Sequence, residues 1–381
     1  MKNAYKVVVI GAGVGGLTCG CYLAKAGLKV LIVEQHDKSG GYCTSFTRKG
    51  YRFDVGVHSL GGKTKGIIGR VFKDLDLDSV VKVNQFDPVD RIIMPDKEVY
   101  LRADPQETIL ELKKQFPAES NNIERFFRFI MQDDFLNIYK SVKKATVKEL
   151  LDNYFGDNKI KYIFNVLLRN LNISAGEASA LCFIIFLREY VLDPGYYPVG
   201  GIQSFPDGLT EIFKSFGGEI LFCKRVASVM TENNEVSKIV LNDGIEIKTN
   251  IVVSNSDATT LFKEMLDVES KERCNTDILK PSISGFAVYL GLKDVEEKVF
   301  NGFSTTWPFT DFAIDSQAFL NEERVRHKSF FLTEIAFSTA HDLAFLEKSA
   351  KISMGIFSAA TYSDKKWWVN REEEISDCLV A

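Results

Sequence analysis

At 381 residues the chain is longer than one hydrophobic core usually serves, and a prior of about 150 residues per domain points to two domains, or three. Its 47 basic and 51 acidic side chains leave a net charge of -4, with 26% charged and 45% hydrophobic residues. That balance is ordinary for a soluble protein, without the basic excess that nucleic acid attracts or the like-charge block of an interaction tail. Seven cysteines, at 19, 21, 43, 182, 223, 274 and 378, form no CxxC pair and have no histidine at zinc spacing, which argues against a metal and for a reduced, cytoplasmic setting.

Residues 1–6 lack the apolar stretch of a secretory signal. The longest apolar run, 180–187, falls far short of the ~20 residues a bilayer span needs, so membrane contact is expected to be peripheral or absent. Residues 5–10 are β-branched and apolar, as in a buried parallel strand, and lead into GAGVGG at 11–16. Residues 17–26 read as a helix stopped by Gly27, and 29–33 as a second buried strand, which completes a βαβ unit. From Asp104, with Pro105 and Glu107, a helical region runs to about 192, with further capping boxes at Thr146/Glu149 and Ser174/Glu177. A turn-rich connector at 194–206 precedes a helix that stops at Gly217-Gly218. Short strands are expected at 219–224, 226–232, 236–241, 245–248 and 251–255, with Asn242-Asp243-Gly244 as a hairpin turn, and again at 284–292, 329–337 and 352–359.

Gly11, Gly13 and Gly16 satisfy GxGxxG, with Gly15 beside them. The first glycine makes a tight turn, the second lets a pyrophosphate reach the backbone, and the third lets helix and strand pack closely. The helix start aims free N–H groups at phosphate, and Glu34, 18 residues past Gly16, is placed to bond ribose hydroxyls. This constellation predicts the ADP half of a dinucleotide and does not separate FAD from NAD.

Residues 34–62 carry a paired glycine at Gly40-Gly41, Phe53-Asp54-Val55-Gly56 and GVHSLG at 56–61. Together with PVGGIQSFPDGL at 198–209, GGEI at 217 and IVVSNSD at 251–257, they resemble the flavoprotein family that contains phytoene desaturase, carotenoid isomerase and retinol saturase, the saturase branch most closely. The resemblance covers most of residues 5–260. It implies FAD, with Gly40 and Gly41 packed against the flavin, Gln35 and Tyr42 in the same binding set, and Val226 holding the adenine side through its backbone. A core strand valine is an equal reading of Val226.

The fold class that follows is α/β. A Rossmann-type FAD domain with a parallel sheet would be built from 1–103 and 198–280, and a substrate domain of mixed β-sheet capped by helices from 104–197 and 281–381. The implied activity is flavin-dependent redox chemistry on a hydrophobic polyene or isoprenoid: desaturation, saturation or isomerisation. Phe-rich stretches at 126–130, 162–164 and 183–186 suit a tunnel for such a chain, or an ordinary helical core. His58 reads either as an acid/base residue facing the flavin or as a satisfied structural histidine. Cys19 and Cys21 read as packing residues.

Tyr42 stands where some desaturases carry Arg, and residues 361–381, which include Trp367-Trp368, hold no glycine for the turn that closes the flavin site in this family. A missing closing segment is therefore expected, with weakly held FAD and either a tendency to self-associate or poor solubility. The alternatives are an amine-oxidase-like flavoprotein, or a non-catalytic FAD-binding fragment of a split or truncated enzyme.

Overall fold

A computed structural model describes residues 4–132, 134–171, 173–193, 195–266, 276–279, 284–293, 305–308, 333–342, 345 and 351–360. Residues 361–381, where the closing segment is expected to be missing, lie outside them. The protein is α/β, and its first sheet has four parallel strands in the order Ile251–Ser254, Val7–Ile10, Val30–Val33, Glu219–Leu221. The central pair, VVVI and VLIV, is buried throughout because both faces are covered. Successive side chains point to opposite faces. Val7, Val9, Val30 and Ile32 pack against the helices Val14–Lys25 and Ser204–Ser215, whereas Val8, Ile10, Leu31 and Val33 pack against a three-stranded antiparallel sheet of Val226–Glu232, Glu235–Leu241 and Glu246–Lys248. Asn233 and Asn234, both at positive φ, make the first hairpin turn of that sheet, and Gly244, at φ +83°, the second.

A second large sheet runs in the order Ser284–Leu292, Ile352–Ala360, Thr333–Ala336, Thr305–Pro308, Asp90–Ile93, Glu98–Leu101. It is mixed, because Thr305–Pro308 lies parallel to Asp90–Ile93 and the other pairs are antiparallel. Two of its strands therefore come from within residues 1–103, so the sheets do not divide at 103.

Six helices cover this sheet: Pro105–Gln115, Ser120–Met131, Phe135–Val142, Val147–Tyr154, Asn158–Leu167 and Ala180–Tyr190. Asp104 accepts from Gln106 N ahead of the N1 proline, and Thr146 and Glu149 cap each other reciprocally. The pair at Ser174/Glu177 closes a turn instead. The helix that follows begins at Ala180, because Ser179 supplies its cap by accepting from Cys182 N. No helix among the described residues is long and apolar enough to cross a membrane.

The Phe-rich stretches meet in one buried cluster, joined by Trp307 from the sheet. Phe126 is its hub, with the rings of Phe127, Tyr154, Phe155 and Phe164 at centroid distances of 5.8, 5.3, 5.2 and 5.0 Å. Replacing it removes several aromatic contacts and leaves a cavity in a buried cluster. Phe126→Ala should cost ~3–5 kcal/mol, read as a lowered urea midpoint with unchanged slope.

Candidate functional site

The strand Val7–Ile10 ends at the glycine loop, and the helix Val14–Lys25 starts on its far side with Gly13 as N-cap and no side-chain cap bond. Its first-turn N–H groups are left for an outside acceptor, and the positive end of the helix dipole favours an anion there. A Cβ on Gly16 would stand 2.2 Å from Gly11 O, so this glycine sets how closely helix and strand approach. Across the loop lies Asn255, whose backbone N–H donates to Ile10 O and whose side-chain amide would be 2.8 Å from a Cβ on Gly13 or on Gly15. Asn255, inside the IVVSNSD segment, is a site residue that the GxGxxG pattern alone did not reveal.

Glu34 follows the second strand and is 7% exposed. Its two oxygens accept from Ala12 N at 2.6 Å and from His36 N at 2.9 Å, so the carboxylate ties the glycine loop to the strand end. Each oxygen keeps a further lone pair for a ligand hydroxyl. Gly40 N donates to Ala12 O, and a Cβ on Gly41 would sit 3.3 Å from Gly13 Cα. The paired glycine thus docks on the glycine loop, at φ +123° and +62°, backbone conformations that other residues adopt at a cost.

These elements surround a cavity of about 1260 Å³. Gly11, Gly13, Glu34, Gln35, Gly40, Gly41, Tyr42 and Val226 line it, whereas Gly15, Gly16 and His58 do not. Val226 does two things, since its side chain also belongs to the core of the three-stranded sheet. Gln35 is exposed, and Tyr42 stands 87% exposed at the rim. The cavity lining combines charged residues, Lys38, Lys224, Arg225 and Asp257, with apolar ones, Val55, Val57, Leu60, Ile68 and Phe205. None of the Phe-rich stretches of the helical region lines it. Burial pushes the thiols of Cys21 and Cys43 up to about 12, which leaves both inert near neutrality. Asp54 of the FDxG segment is buried and held by Ser45 Oγ and Tyr197 OH, each at 2.7 Å.

His58 sits one residue beyond the cavity-lining Val57, stacked on Phe357 with ring centroids 5.7 Å apart. Its Nδ1 faces Gly56 O at 2.9 Å, and its Nε2 lies 2.6 Å from Glu334 Oε1 and 3.3 Å from Thr305 Oγ1. Burial opposes the imidazolium charge, but Glu334, the Gly56 carbonyl and Asp54 together raise its pKa to about 9. The sequence pointed to His58 and missed Glu334, since nothing local links residues so far apart along the chain.

Gly16→Ala should destabilise the βαβ unit because backbone stands in the way. In Gly13→Ala the obstacle is the end of a side chain, so the fold should survive while dinucleotide binding falls, and Gly13→Ala with Asn255→Ala should recover part of the binding. Thermal melts and ligand titration separate the cases. A histidine whose pKa is raised on folding contributes stability that is complete below about 6.5 and lost as pH rises through about 9. His58→Gln should therefore flatten the fall in melting temperature on the alkaline side, an effect on the order of a few kcal/mol.

A model of the family described as flavin containing amine oxidoreductase matches residues 14–272. The inactive all-trans-retinol 13,14-reductase of Danio rerio is 27% identical over 79% of this chain and 56% of its own length. The 4,4'-diapophytoene desaturase of Methylomonas sp is 24% identical over 77% of this chain and 62% of its own. The chain therefore spans little more than half the length of the curated relatives it matches. An oxidoreductase structure from Methanosarcina mazei superposes with a TM-score of 0.71 at 17% identity, over 98% of this chain and 83% of that one, a likeness of fold. The match over residues 14–272, together with the strand, glycine loop, helix and acid arranged around one cavity, places the chain in the flavin containing amine oxidoreductase family, with FAD as its cofactor.

Proposed function

We propose that the chain acts as an FAD-dependent oxidoreductase on an apolar conjugated chain, a polyene or isoprenoid. The observation that carries this is one large cavity whose lining joins charged residues such as Glu34 and Arg225 to apolar ones such as Val57, Leu60 and Phe205. Such a lining fits a cofactor with a charged adenosine-diphosphate half and a flat apolar ring. In this reading the N–H groups of the first helical turn and the loop backbone at Gly11 and Gly13 hold the pyrophosphate, Glu34 the ribose, and the backbone near Val226 the adenine. When bound, FAD supplies two-electron hydride exchange. The protein's own part is to position an apolar substrate against the apolar lining, exclude water there and hold a proton at His58.

The curated relatives named for retinol reduction and diapophytoene desaturation favour a polyene over an amine. A second reading, a flavin-binding chain without turnover of its own, is favoured by one fact: a matching relative is itself named inactive.

Purified protein should be yellow and should be stabilised by added FAD. Glu34→Ala should lose ~1–3 kcal/mol of FAD binding, a roughly 5- to 150-fold weaker Kd, as one charge-assisted hydrogen bond is removed. The flavin-loaded protein, assayed oxidised and reduced, should convert all-trans-retinol or a carotene and leave putrescine untouched. Turnover of the diamine would overturn the substrate class, FAD binding with no turnover of either would favour the second reading, and preference for NAD would overturn the cofactor.

A further inference from the structure

A line of polar groups crosses the six-stranded sheet where it packs against the helical core. Asp90 is completely buried at the start of its strand. Its Oδ1 accepts from Trp307 Nε1 at 3.0 Å and from Tyr190 OH at 3.2 Å, while its Oδ2 has no hydrogen-bond partner among the described residues. Thr305, opposite Asp90 on the neighbouring strand and likewise buried, stands 3.3 Å from His58 Nε2, and its hydroxyl acts on that of Tyr190, opposing the upward push of burial on the phenol. His58 itself is paired with Glu334 at 2.6 Å.

We propose that Asp90 is the far end of a proton wire that begins at His58. One proton passes between the imidazole and the Asp90 carboxyl through the hydroxyls of Thr305 and Tyr190, with Glu334 as the fixed counter-charge. Transfer breaks the His58 Nε2–H bond, moves the Thr305 and Tyr190 hydroxyl protons one place each and forms an O–H bond on Asp90 Oδ1; the reverse restores both ends, and no electrons change hands. The unpartnered Oδ2 argues for the neutral carboxyl, because a buried carboxylate with one bare oxygen costs far more than a carboxylic acid whose carbonyl lacks a donor.

The groups that face Asp90 agree with this. Burial pushes its pKa up to about 7, against the pull of the Trp307 and Tyr190 donors, with Glu334 raising it from the strand beyond Thr305–Pro308 and His58 lowering it from its loop. Both ends of the wire thus change charge between neutrality and mild alkali. What the wire is for rests on the redox reading above: saturating a carbon–carbon double bond takes up one proton with each hydride, and desaturation gives one back.

The test is an infrared titration of the flavin-loaded protein together with the ¹⁵N titration of His58, in the native chain, Asp90→Asn and Tyr190→Phe. We expect a carboxylic-acid carbonyl band that fades as pH rises through about 7. It should be absent in Asp90→Asn and shifted in midpoint in Tyr190→Phe, which keeps the shape of the core. The His58 signal should carry a second inflection at the Asp90 midpoint that both variants lose. No acid band, or a His58 titration indifferent to Tyr190→Phe, would overturn the wire. Neither readout needs turnover, so a protein that couples the two groups yet ignores every polyene would overturn the substrate reading and uphold the wire.

Discussion

The close approach of Gly16 to the carbonyl of Gly11 is the constraint on which the rest depends. Only a residue without a side chain lets the first helix start that near the strand end, and from that start the helix aims its free N–H groups into the cavity. Glu34 then fixes the loop from the next strand by taking the Ala12 N–H, and Gly40 takes the opposite side by donating to the Ala12 carbonyl. The peptide groups of one alanine are thus held from both directions, and the cavity floor is rigid before any ligand arrives. Preorganisation of this kind reduces the ordering cost of binding, which matters for a long and flexible cofactor.

How much of this was legible depended on whether a residue's neighbours in space were also its neighbours in sequence. The VVVI and VLIV strands, the glycine loop and Glu34 lie within one βαβ unit, where periodicity and turn chemistry carry the information. The strand Val226–Glu232 and the long strand Ser284–Leu292 were readable for the same reason. Between residues 45 and 101 the strands are three or four residues long and carry Arg48, Asp90, Arg91 and Glu98, so no apolar alternation marked them. Asp90–Ile93 pairs with Thr305–Pro308 and Val83–Gln85 with Tyr196–Pro198, partners from far parts of the chain. Sequence pattern records local preference, and such tertiary pairing overrides it.

The chemistry divides in the same way. His58 could be suspected because it follows a glycine-rich element, but Glu334, Asp90 and Tyr190 look like ordinary strand or helix-end residues in sequence. They become a unit only because the second sheet brings Thr305 between them. Asp90 shows why: an acid at the head of a short strand normally points to solvent, and here the helical core closes over it. The Phe-rich stretches carry the converse lesson. As sequence they suited a tunnel, and in the fold their rings fill one another's gaps and leave the cavity to Val57, Leu60, Ile68 and Phe205.

The central claim is that this cavity reads the adenosine-diphosphate half of FAD first, through Glu34, the glycine loop and the backbone beside Val226. Calorimetric titration of the flavin-free protein with FAD, ADP and FMN tests it most directly. The account predicts that FAD binds, that ADP competes with it for the same site, and that FMN, which lacks the adenosine half, binds far more weakly than either. FMN binding as tightly as FAD, or ADP failing to compete, would contradict it.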